Sequence, residues 1–240
     1  MRPWSDAEGA RTARHDSGTG NVPLPLPTDR RSATTPLLMP TQDPSSASLD
    51  RVSGFTAFAT VGALGLTQDL THAVLDSIGD MDGADPELVA EETLCLVATA
   101  TARAAAVGLE DEPEHAPPIV QTLLDLPFTY RDYLIGKAMV ADENPELSAV
   151  GEEVRERLQG KREFYTIHLP EGQFPGPHVL EDKMELWMGR VSPPKLPETP
   201  QERLESLGLV EPTVAHLKLV LAYGRRGEPP TGGAADAEGA

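Results

Sequence analysis

Residues 85–108, DPELVAEETLCLVATATARAAAVG, carry the reading on which the fold rests. Asp85 suits an N-cap, Pro86 the first helical position and Gly108 a left-handed stop, so the stretch is bounded as one helix. Glu87, Glu91 and Glu92 sit at the positive end of its dipole, and Arg103 falls in the last turns, where a cation is favoured. Between Thr93 and Val107 the only charge is Arg103, so the helix has no polar face. In water such a helix persists only when other helices cover it on all sides. The stretch therefore predicts an all-α protein: a single helical domain of about six to eight helices around a central buried one.

The flanking sequence supplies the cover. Upstream, Val52, Phe55, Phe58, Ala59, Gly62, Ala63 and Leu66 recur at helical spacing. Thr67 suits the N-cap of a second helix, which carries Leu70, Val74, Leu75 and Ile78 on one face and ends at Gly79. Downstream, 118–126 reads as a short amphipathic helix, and 128–141 as a further one with Tyr130, Leu134, Lys137 and Ala138 in register. A helix from Asn144-Pro145 to Gly160 shows an apolar stripe of Leu147, Val150, Val154 and Leu158. Residues 178–190 place Leu180, Met184, Trp187 and Met188 inward, and 200–223 read as two short helices about Gly208.

The ends differ. Residues 1–48 and 225–240 are rich in Pro, Gly, Ser and Thr without apolar periodicity, which predicts a disordered leader and tail around a folded region at 49–224. VPLPLPT at 22–28 has the composition of a polyproline II segment, and Met39 is a second candidate start. The net charge of −18 disfavours generic binding to nucleic acid or to an anionic membrane surface. No run reaches the roughly 18–20 apolar residues of a membrane span. A single cysteine, Cys95, excludes an internal disulfide and a cysteine-based zinc site, so a reducing, cytoplasmic setting is expected. The chain shows no nucleotide-binding loop, catalytic triad order or paired metal motif, and no cofactor is expected. The lone E-x-x-H at Glu112–His115 is interrupted by Pro113 and followed by Pro117, which spoils a one-faced ligand pair.

Residues 161–198 stand apart, with large aromatics, prolines and balanced charge in an otherwise acidic chain. Loops of this composition on a rigid scaffold make contact surfaces. The expected function is accordingly a non-catalytic cytoplasmic interaction or assembly module. It binds another protein or itself through Phe164, Tyr165, Phe174, His178, Arg190 and Lys195. One alternative is a metal-dependent hydrolase centred on His168, His178 and Asp182, in which His178 and Asp182 are four apart on one helix face. A second alternative comes from Leu207-Gly208-Leu209, Glu211-Pro212-Thr213-Val214 and His216-Leu217. This stretch locally resembles the helix-turn-helix of LuxR-type response regulators, although Leu204 stands where that pattern has a small residue. The resemblance implies DNA contact through Thr213, His216, Lys218 and, just beyond, Arg225.

Overall fold

The computed structural model of the protein describes residues 44–79, 85–142, 147–193 and 196–229. They form eight helices and no strand: α1 (Pro44–Ile78), α2 (Pro86–Gly108), α3 (Ala116–Leu124), α4 (Leu126–Asp142), α5 (Leu147–His168), α6 (Pro177–Val191), α7 (Pro200–Leu207) and α8 (Val210–Arg226). Most of the expected leader and tail, VPLPLPT, Met39 and Lys195 lie outside the described residues. The first helix begins at Pro44 and the last ends at Arg226, slightly wider than 49–224.

The α2 helix is the axis, with α1, α3, α4, α5, α6 and α8 all packed on it. Its N-terminus is capped as expected: the Asp85 carboxylate accepts from the Glu87 and Leu88 amides at 3.0 and 3.1 Å, with Pro86 in the first turn. From Thr93 through Ala105 every residue is buried. Threonine tolerates this environment because its hydroxyl bonds back to the helix. Thr93 donates to the Val89 carbonyl at 2.6 Å and Thr99 to Cys95 at 2.8 Å, so neither leaves an unpaired polar group in the core.

Three boundaries differ from the sequence reading, each for a physical reason. Thr67 does not start a helix; its hydroxyl donates to the Ala63 carbonyl inside the continuous α1. Phe55, Ala59, Ala63, Leu66, Leu70, Val74 and Ile78 form one unbroken buried stripe along α1, which holds both halves on α2. Gly160 does not close α5, which runs on to His168 because the next turns anchor Lys161 and Tyr165 to α2. Gly108 is not a left-handed stop, since the positive-φ glycines are Gly79, Gly172, Gly208 and Gly227. It sits where α2 crosses α8: a Cβ on Gly224 would lie 2.8 Å from the Gly108 carbonyl carbon and 2.9 Å from its Cα. The glycine pair thus sets how closely the two helices approach.

The C-terminal hairpin follows its sequence closely. Thr199 and Glu202 form a reciprocal capping box on α7, and Gly208 turns the chain at φ 60° into α8. On α8, Tyr223 meets Phe55 and Phe58 of α1 edge-on, with both centroid distances 5.2 Å.

The glycine crossing gives a stability test by urea denaturation. Gly224→Ala should cost about 2 kcal/mol or more through backbone overlap at the crossing. Gly65→Ala, whose Cβ meets nothing within 4 Å in mid-helix, should be neutral or stabilise by up to about 1 kcal/mol.

Candidate functional site

The segment 161–198 both closes the core and presents a surface, on which Ile167, Val179 and Leu186 are exposed. Tyr165 is 1% exposed, and its hydroxyl donates to Glu92 Oε2 at 2.7 Å. Arg190 lies across the same carboxylate, its Nε and Nη2 donating to the two Glu92 oxygens at 2.9 and 2.6 Å. Phe164 is half-buried, edge-on to Tyr165 and beneath the Arg190 guanidinium at 4.4 Å. Phe174 is half-buried against the core, and Trp187 is fully buried. Of the residues expected to bind a partner, Tyr165 is thus no surface contact and Arg190 is held by Glu92. His178 is exposed.

These contacts belong to a buried ion cluster at the start of α2. Beside Glu92, Glu91 accepts from Arg157 at 2.6 and 2.8 Å and from Lys161 at 2.6 Å, and Lys161 is itself buried. Burial acts to raise the Glu91 pKa, but the hydrogen bonds from Arg157 and Lys161 outweigh it and hold the carboxyl below its ordinary value. Burial, with Glu92 nearby, pushes the Cys95 thiol up to about 12, so it is no nucleophile. The same two causes raise the Tyr165 phenol far above its usual range. The cluster pins α5 and α6 to α2, and every charge in it is matched.

The two chemical alternatives do not assemble. Among the described residues no group of three or more His, Cys, Asp or Glu side chains could hold a metal, so His168, His178 and Asp182 form no such centre. His168 stacks on Phe164 at the end of α5, while His178 and Asp182 lie exposed on α6. On α8, two of the four residues expected to contact DNA, Thr213 and His216, are packed inside. Thr213 is fully buried, its hydroxyl donating to the Leu209 carbonyl. His216 lies between α1 and α2: its Nε2 is 3.1 Å from Thr101 Oγ1, and a Cβ on Gly62 would come within 2.7 Å of its ring. Lys218 and Arg225 are exposed, and Arg225 pairs with Glu110 at 3.7 Å. The residues assigned to DNA are thus split between the packed and the exposed faces of α8.

What remains accessible is a cleft that the sequence reading treated as ordinary core. The α1 helix on one side and the α4–α5 pair on the other both pack on α2 but make no substantial contact with each other. The gap between them is about 790 Å³ and open to solvent, with Ala90 and Leu94 of α2 among its lining residues. Val61, Tyr130, Leu134 and Val150, all exposed large apolar side chains, line this one cleft. Val154 and Leu158 continue the wall along α5. Two polar groups in the lining, Thr71 Oγ1 and Arg131 Nε, are buried without a hydrogen-bond partner. The volume falls in the range of ligand sites, and such a concentration of exposed apolar side chains is uncommon on a surface with no partner. The stripes of α4 and α5 are visible in the sequence as helical periodicity; nothing there says that they face a gap.

No protein-family model, curated protein or solved structure matches this chain.

Two outcomes follow for the buried polar groups. Glu92→Ala leaves Arg190 and Tyr165 unmatched and should cost about 3–5 kcal/mol in urea denaturation, whereas Glu92→Leu combined with Arg190→Met and Tyr165→Phe should recover much of it. Burial lowers the His216 imidazole from 6.5 to about 4, so it stays neutral when folded at pH 7. Its contribution is complete above about pH 6.5 and is lost as the pH falls toward 4, by up to about 3 kcal/mol. The stability gap between the wild type and His216→Gln should narrow over that interval.

Proposed function

We propose that the protein is a non-catalytic binding module that receives an amphipathic helix of another protein in the α1–α2–α4–α5 cleft. The observation that carries this reading is the convergence of Val61, Tyr130, Leu134 and Val150, each exposed, on one elongated apolar gap. From Val61 to His72 the α1 wall runs about 17 Å at 1.5 Å per residue, the length of three helical turns. A helix docking by its i, i+3, i+4 and i+7 side chains needs such a trough, open on one side so that its polar face stays wet. This retains the interaction role expected from the sequence and moves the surface away from 161–198. A cytoplasmic setting is part of the same reading, supported by the lone, buried and unreactive Cys95. No helix among the described residues is long and apolar enough to cross a membrane.

Gly65 supplies the test, because it lines the cleft and a side chain there meets open space. A labelled 16-residue peptide with a leucine face and glutamine elsewhere should bind the full chain with micromolar affinity by fluorescence anisotropy. Gly65→Trp should weaken it at least tenfold without lowering the urea midpoint. Equal binding by the variant, or none by the wild type, would refute the reading. Dimerisation of the wild type that Gly65→Trp abolishes would assign the cleft to a second copy instead.

A further inference from the structure

The charges around the cleft point to the kind of helix it takes, an inference that rests on the cleft being the binding surface. Asp69 is exposed on α1, one turn from the lining residues Gly65 and His72, and Asp76 is exposed one turn beyond His72. At the start of α2, Glu87 lines the cleft with its side chain 66% exposed. Asp132, beside the lining residue Arg131 on α4, is already ion-paired with that arginine. Of the cations nearby, Arg131 and Arg157 are held by partners, whereas Lys137 on α4 and Arg155 on α5 are exposed. Arg131 is 10% exposed and donates to the Gly151 carbonyl at 2.6 Å, while Arg157 is held by Glu87 and Glu91. Lys137, exposed on α4, lies over the Tyr133 ring at 5.3 Å.

We propose that the cleft selects a basic amphipathic helix, one whose apolar face enters between α1 and the α4–α5 pair while lysines and arginines on its α1-facing flank meet Asp69 and Asp76, with Glu87 at one end. The α1 wall then contributes the acidic row. An acidic helix of identical apolar face meets like charge along α1. Charge of this kind acts on encounter rate and on the choice between partners more than on the packing that holds the bound state. The net charge of −18 extends the same preference to longer range.

The experiment compares two labelled 16-residue peptides with the same leucine face, one carrying lysine and one glutamate at the flanking positions, on the full chain at 50 and 300 mM salt. The lysine peptide should bind at least tenfold more tightly than the glutamate peptide at low salt and lose most of that advantage at high salt. Asp69→Asn with Asp76→Asn should reduce the advantage several-fold, and Gly65→Trp should weaken the lysine peptide at least tenfold. Lysine-peptide binding that survives Gly65→Trp would show attraction to an acidic surface at large and overturn the proposal. Equal affinity for the lysine and glutamate peptides would overturn the basic preference while leaving the cleft as the binding surface. Failure of both peptides together with the glutamine peptide would remove the cleft itself.

Discussion

A helix that is apolar around its whole circumference has to be covered on every side, and this requirement of α2 organises the protein. Six other helices pack on it. The helices that approach most closely do so where side chains are small: Ala59 and Ala63 lie on the α1 stripe, and Gly108 meets Gly224 where α8 crosses. The threonine hydroxyls of α2 find partners there, Thr93 and Thr99 by bonding back one turn and Thr101 by meeting His216. Removing apolar surface from water drives this assembly, at roughly 25 cal/mol per Å². Pairing those buried hydroxyls keeps that part of the gain from being cancelled.

Charge enters the core at one end. Glu92 is buried at the first turns of α2, where the helix dipole favours an anion. Its carboxylate is matched by a two-pronged arginine and a phenol, each from a different helix. A buried carboxylate with such partners adds little net stability over an apolar substitute, but misplacing any partner is costly, so it fixes the register of α5 and α6 on α2. This explains why Lys161 and Tyr165 turn inward: they serve the ion cluster and the core beneath it.

The same constraint leaves the cleft. Each helix satisfies α2, but covering an axis does not require the covering helices to meet one another. The α1 helix and the α4–α5 pair do not, and their apolar stripes extend past the part of α2 that they cover. Tyr130, Leu134 and Val150 consequently face open space.

The fold class, the central helix with its Asp85 cap and the α7–α8 turn were legible in the chain because each depends on local chemistry: periodicity, a side-chain acceptor, a glycine at positive φ. The single α1, the run of α5 past Gly160 and the true role of Gly108 were not, because contacts from distant helices decide them. The candidate site was half legible. The sequence alone determines that Tyr130, Leu134, Val150 and Val154 lie on apolar helix faces, since 3.6-residue spacing requires it. Only the tertiary structure decides that these faces border a gap, that Arg190 closes on Glu92, and that His216 points into the core. Burial is set by which helices meet, and a helix carries no record of what will lie opposite it.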